Sequence, residues 1–283
     1  MSQEGIPEIL ARDDAELLCS CKELPFDILS LVINSIAHKC FMKLRDSEDF
    51  KKHVRNITHI NPECVTSKML QDFLGCELGE NENWVDLAIE LKSPELINKL
   101  GDKATRRIIQ EDDAELFALI ENQNQYTEEV FRRNKYSIAT SLKDERVTKI
   151  AAKDLKKGRF IETGKYVVIE YGAKIIPYGA FNNVYQSDMD RDESPEYIII
   201  PSSVTQIGQE AFSGCFSLKS ITIPSSVTRI RDCTFSKCSS LESVTIPLGV
   251  KRIDSEAFSE GLILKVAKQK LDIPSTSKQM CKL

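Results

Sequence analysis

Ile200-Pro201-Ser202-Ser203-Val204-Thr205 returns as Ile223-Pro224-Ser225-Ser226-Val227-Thr228, and Ile246-Pro247 opens a third copy, each displaced by 23 residues. A fixed short period marks a solenoid, in which every unit buries its apolar side only against its neighbours. Just ahead of each Ile-Pro, Leu218-x-x-Ile221-x-Ile223 and Leu241-x-x-Val244-x-Ile246 read as short strands. Alternation puts Ile221 and Ile223 on one face and Ser220 and Thr222 on the other. The proline cannot donate to a ladder, so each strand is predicted to end there. Val204 and Ile207, then Val227 and Ile230, supply a second apolar pair, and Phe212, Phe235 and Phe258 fall on the same register. Stacked units would align those rings in one core column.

A diverged copy lies upstream, where Ile169, Ile176, Ala180 and Phe181 occupy the places of Ile200, Ile207, Ala211 and Phe212 at a spacing of 31 rather than 23. The excess is assigned to an acidic loop, Ser187-Asp188-Met189-Asp190-Arg191-Asp192-Glu193-Ser194. After Phe258 the register decays, with Leu271-Asp272-Ile273-Pro274 as a candidate capping strand. About four units, each adding one strand roughly 4.8 Å from the last, predict a sheet some 15–20 Å long. Its outward side would carry one column of Tyr197, Ser220 and Ser243 beside another of Ile199, Thr222 and Thr245. These six side chains are the candidate protein-binding strand face, because exposed solenoid faces commonly bind.

Residues 1–155 read as helical. Asp13-Asp14-Ala15-Glu16-Leu17 recurs as Asp112-Asp113-Ala114-Glu115-Leu116, 99 residues on, which is three times the 33-residue ankyrin period. An Asp pair before an apolar run starts a helix, with acidic groups near the positive end of its dipole. Ser93 and Thr127 are read as further N-caps, and Lys156-Lys157-Gly158 as the seam. The fold class is therefore an α+β repeat protein: a helical, ankyrin-like solenoid over 1–158, then a short β-solenoid with parallel strands over 159–283.

Residues 200–222, IPSSVTQIGQEAFSGCFSLKSIT, resemble the BspA-like leucine-rich repeats, a variant found in some anaerobic bacteria and parasitic protists. Ile-Pro-x-x-Val, Ile-Gly, Ala-Phe and Gly-Cys carry the likeness, over roughly 165–260. It implies a curved or twisted solenoid in which each unit adds a strand to a parallel sheet, and Gly214-Cys215 and Lys237-Cys238 fall at a turn after the Phe-bearing segment. The helical half resembles a degenerate ankyrin-type domain of protist multigene families, on Ser35-Ile36-Ala37-His38-Lys39-Cys40-Phe41 and the paired Asp-Asp-Ala-Glu-Leu strings, although no Thr-Pro-Leu-His occurs. Family members are described as adhesive surface proteins or intracellular interaction proteins.

The remaining signals are weak by comparison. Residues 161–283 hold 14 acidic and 14 basic side chains, and residues 1–160 hold 29 and 24, so neither half has the basic excess of a nucleic-acid binder. Arg106-Arg107 and Arg132-Arg133 are offset by adjacent acids and read as solvated helix faces. No run approaches the roughly 18 apolar residues of a bilayer span, and the first residues show neither a basic nor an apolar leader segment. With nine cysteines, the chain is then expected to be cytoplasmic with reduced thiols, the cell surface being the alternative that the resemblance implies. Cys19, Cys21, His38 and Cys40 match no common zinc spacing and read as core residues. Asp188-x-Asp190-x-Asp192 copies the start of a calcium loop, but Glu193 and Ile199 stand where Gly and Glu are needed. His38, His53 and His59 show no nucleophile or carboxylate arrangement, and no phosphate-binding glycine motif or HExxH occurs. The reading is a non-enzymatic protein–protein interaction module, an intracellular scaffold or adaptor without cofactor or metal. The alternatives are a surface adhesin and an enzyme of unrecognised class.

Overall fold

A computed structural model describes residues 5–20, 31–32, 38–45, 54, 60–76, 78, 82–156, 163–182, 194–258 and 264–266. The chain forms two compact units, 1–121 and 122–283.

The first unit is built of short helices: α1 (Ile6–Ala11), α2 (Ala15–Ser20), α3 (His38–Arg45), α4 (Ser67–Leu74), α5 (Glu82–Glu90), α6 (Pro94–Leu100), α7 (Asp102–Glu111) and α8 (Ala114–Phe117). The Asp-Asp pairs divide the labour at a helix junction. Asp13 and Asp112 adopt left-handed φ of 52° and 58° and end the preceding helix. Asp14 and Asp113 then cap the next one, accepting from the amides of Leu17 and Leu116 at 3.0 and 2.9 Å. Ser93 caps α6 in the same way through the Leu96 amide, 3.3 Å. The Asp13 carboxylate also receives the amides of Lys39 and Cys40, both at 2.9 Å, and so caps α3. Partial burial pulls that carboxyl upward, but these amides outweigh it and leave it below the usual carboxylate range. Arg106 and Arg107 pair with Asp102 and Glu111 one turn away, as solvated faces do. The ankyrin-like likeness rests on the sequence strings alone; the structure supplies helices.

The second unit opens with two helices, α9 (Thr127–Arg132) and α10 (Tyr136–Ser141), followed by strands. Its main sheet is parallel throughout, in the order β1 (Val147–Ile150), β2 (Tyr166–Ile169), β4 (Tyr197–Ile199), β6 (Ser220–Thr222), β8 (Ser243–Ile246), β10 (Leu264–Val266). The intervening two-residue strands β3 (Ile175–Ile176), β5 (Gln206–Ile207), β7 (Arg229–Ile230) and β9 (Arg252–Ile253) pair as β3–β5 and β7–β9 on the opposite side of the core. Registers reproduce the sequence spacings: Tyr166 faces Tyr197 across 31 residues, and Tyr197 faces Ser220 across 23. The Ile-Pro corner works as the pattern demands, since Pro201, Pro224 and Pro247 each accept the amide of the Val three residues on, at 3.0–3.1 Å.

Phe181, Phe212, Phe235 and Phe258 form the expected column, stacked at 5.3 Å between successive centroids with planes within 13°. The cysteine column runs beside it. Cys215 Sγ donates to the Phe181 carbonyl at 3.3 Å, and Cys238 Sγ to that of Phe212 at 3.1 Å. Both thiols are buried and reduced, so each unit is fastened to the one before it by a weak S–H bond.

Several expectations change. Residues 147–150, read as helical, form β1; their 19-residue offset from β2 hides them from a 23-residue search. Among the described residues the sheet has six strands rather than four, and five steps of roughly 4.8 Å make it about 24 Å long. Leu264–Val266 supplies the last described strand, offset by 20 residues from β8, while Leu271–Ile273 lies outside the described residues. Thr127 is no cap: it lies inside α9 behind Tyr126, and its hydroxyl donates to Asp144 at 2.6 Å.

Candidate protein-binding face

Two faces follow from strand alternation. Inward go Ile150, Val167, Ile169, Ile198, Ile200, Ile221, Ile223, Val244 and Ile246, all in one buried core. Outward go Tyr166, Val168, Tyr197, Ile199, Ser220, Thr222, Ser243 and Thr245, which fall outside that core. Register joins Tyr166, Tyr197, Ser220 and Ser243 into one column, and sets Thr222 beside Thr245 in the next.

These outward positions do not share one environment. Tyr197 is 6% exposed and Ile199 1%, and Tyr166 and Val168 are as buried. Helix α9 packs on β4 and α10 on β2, with Phe131 of α9 against Tyr166 at 5.1 Å. Tyr197 and Ile199 therefore do not form open contact surface, because a helix covers them. Ser220, Thr222 and Ser243 are part-exposed and Thr245 is exposed. The change from aromatic and aliphatic to hydroxyl side chains coincides with the end of the helical cover.

Charges mark that boundary. The Tyr166 and Tyr197 hydroxyls each lie 3.4 Å from a Glu128 oxygen on α9. Burial, with Glu128 adding to it, pushes both phenols up. Arg146 and Lys165 lie over the Tyr166 ring at 5.6 and 5.5 Å, and Lys219 over Tyr197 at 5.7 Å. Glu196 bridges the lysines, to Lys165 at 3.0 Å and Lys219 at 2.6 Å. Burial raises its carboxyl, but the two lysines together hold it below the ordinary range. One register position thus reads Lys165, Glu196, Lys219, Glu242, alternating in sign along the rim.

The cover is locked by Asp144. Its buried carboxylate takes the Thr127 hydroxyl at 2.6 Å and Arg146 through Nε and Nη2 at 3.0 and 2.6 Å. The Arg146 hydrogen bonds hold its pKa down at about 2, against the opposing effect of burial. Sequence reading missed Asp144, Glu128 and Phe131: Glu128 and Phe131 meet tyrosines far along the chain, and Asp144 joins Thr127, 17 residues before it, to nearby Arg146.

Several expectations concern residues whose placement is not described: the acidic loop over 187–193, the side chains of Cys19, Cys21 and His38, and His53 and His59. Cys40 is buried. Among the described residues no group of three or more His, Cys, Asp or Glu is placed to hold a metal ion. None of their helices is long and apolar enough to cross a membrane.

A path of strand, Pro turn, short strand and Phe-bearing turn, repeated in parallel register, is the build of a leucine-rich-repeat solenoid. Residues 153–281 match the family model described as BspA type leucine rich repeat region, in 6 copies. The repeats are therefore similar to BspA-type leucine-rich repeats. No curated protein matches the chain. Among solved structures, a leucine-rich repeat protein from Bacteroides ovatus is 29% identical over 44% of this chain and 30% of its own, with a TM-score of 0.27. A leucine rich cell surface protein from Faecalibacterium prausnitzii is 23% identical over 49% of this chain and 35% of its own, TM-score 0.25. The leucine rich repeat protein of T. pallidum is 18% identical over 47% of this chain and 74% of its own, TM-score 0.25. The match spans about a third of the Bacteroides and Faecalibacterium proteins.

Proposed function

We propose that the second unit is a non-enzymatic protein-interaction module whose contact surface is the open part of the outward face: Ser220, Thr222, Ser243 and Thr245. The observation that carries this reading is the switch along one column from covered Tyr166 and Tyr197 to uncovered Ser220 and Ser243. Buried outward positions are apolar because a helix sits on them; the open ones carry short hydroxyl side chains that lose little rotamer freedom on contact. Tyr197 and Ile199 act as the floor of this face beneath α9. Within that unit the proposed repeat domain is 159–283, with α9 and α10 as its cover. An intracellular scaffold or adaptor is the proposed setting.

The test is affinity capture from native cells with the full chain and with Thr222→Arg/Thr245→Arg. Loss of a specific partner by the variant, at an unchanged melting temperature, supports the reading; equal recovery removes the face from it. The second reading, a surface adhesin, follows from the family likeness. Labelling of the protein by a membrane-impermeant biotin reagent on intact cells would replace the intracellular setting with that one.

A further inference from the structure

The opposite side of the solenoid carries a cationic cluster that the outward strand face does not use. Arg229 and Arg252 are register partners in the parallel β7–β9 pair, so their backbones lie about 4.8 Å apart. Asp254, 6% exposed, takes Nε and Nη2 of Arg229 at 3.0 and 2.6 Å and Nε of Arg252 at 3.0 Å. One buried carboxylate thus fixes both guanidinium groups by one edge. Nη1 of Arg229 and both Nη groups of Arg252 remain as donors. The Arg252 side chain is 64% exposed. Arg231, just past β7, and Lys251, just before β9, are exposed. Among the described residues neither pairs with a carboxylate. The acids that act on Arg229 are Asp254 and Asp232.

The cluster is confined to these two units. The register positions of Arg229 and Arg252 are filled by Gln206 in β5 and Ile175 in β3, and that of Arg231 by Gly208 and Pro177. A fold-wide need for arginine at these positions therefore does not explain it.

We propose that Arg229, Arg231, Lys251 and Arg252 form a recognition surface for a phosphorylated segment of a partner protein. Two guanidinium forks side by side, already oriented by Asp254, offer more donors than one carboxylate accepts. A phosphate group carries close to two charges and three acceptor oxygens, and can engage both forks at once. A nucleic acid fits less well, because the chain as a whole carries a net charge of −5 and its basic excess is local.

The test is fluorescence anisotropy with the full chain and a labelled Gly-Ser peptide carrying two adjacent phosphoserines, at about 0.15 M salt. The same peptide without phosphate and a single-stranded DNA of equal length are run alongside. Saturable binding of the phosphopeptide is expected, weakened at least about tenfold in Arg231→Gln/Lys251→Gln. Neither substitution touches Asp254, so the melting temperature stays put. Arg252→Lys keeps the charge and loses the fork, and weakens binding as well. The proposal is overturned by absence of saturable binding, by equal binding of the unphosphorylated peptide or the DNA, or by undiminished binding to the double variant. Thr222→Arg/Thr245→Arg leaves this binding unchanged, which separates it from the strand-face reading.

Discussion

The rings of Tyr166 and Tyr197 stack with centroids 5.9 Å apart and planes within 15° of each other, and the column they begin continues as Ser220 and Ser243. The stack lies under α9, with Phe131 against Tyr166 and Glu128 at both hydroxyls. An outward face that is apolar at one end and hydroxylic at the other requires a cover at the apolar end only. Helices α9 and α10 are therefore part of the repeat unit's stability, although they carry no repeat themselves.

A fragment over 122–283 is expected to melt cooperatively by circular dichroism. One over 160–283 lacks α9, α10 and β1, exposes Tyr166, Val168, Tyr197 and Ile199, and is expected to bind a hydrophobic dye and precipitate. A sharp, reversible melt of the shorter fragment would show that the cover is dispensable.

Phe212 and Phe235 each stack between two rings, whereas Phe258 meets one among the described residues. Phe212→Ala should lower the stability of the second unit by roughly 3–5 kcal/mol in urea unfolding, and Phe258→Ala by less. Equal effects at the two positions would mean that the stack does not act as a column.

Asp144 gives the second unit an acid limb. Its folded pKa, about 2, lies below its usual 3.8, so the contribution is complete above the unfolded value and is lost as pH falls through the folded one. Allowing for screening at half-exposed Arg146, the loss is on the order of 1–2 kcal/mol between about pH 4 and pH 2. Asp144→Asn should flatten the melting temperature over that interval while lowering it at neutral pH. An unaltered acid limb in the variant would assign the limb to other carboxylates.

Gly249 lies where a Cβ would stand 2.0 Å from the Ser225 carbonyl oxygen. Its register mates are Ser203 and Ser226, whose hydroxyls donate to the carbonyls of Ala173 and Val204 in the preceding unit. Gly249→Ala should cost about 1–3 kcal/mol, because the obstructing atom is backbone and moves only with its turn. A neutral result in thermal melts would show that the turn shifts freely.

How far the sequence carries can be judged residue by residue. The Phe column and the Ile-Pro turns were legible because a period of 23 states which residues share a column. The Asp14, Ser93 and Asp113 caps were legible because capping is local chemistry. The burial of Tyr197 was not, since its cover comes from a helix some 65–70 residues earlier and a period says nothing of what sits on a column. Val147–Ile150 escaped for a related reason: it has a 19-residue offset and lacks the Ile-Pro stop that identifies β4, β6 and β8. The cationic pair Arg229 and Arg252 was visible as two arginines, but Asp254 as their common anchor needed coordinates.

The placement of α9 and α10 ahead of the first repeats has a consequence for how such a chain can grow. Duplicating a 23-residue unit between β6 and β8 leaves the covered strands and the Asp144 lock untouched. It lengthens only the open surface, by about 4.8 Å for each copy. The reach of the binding face and the anchoring that keeps it folded are thus inherited separately, and copy number alone tunes the first.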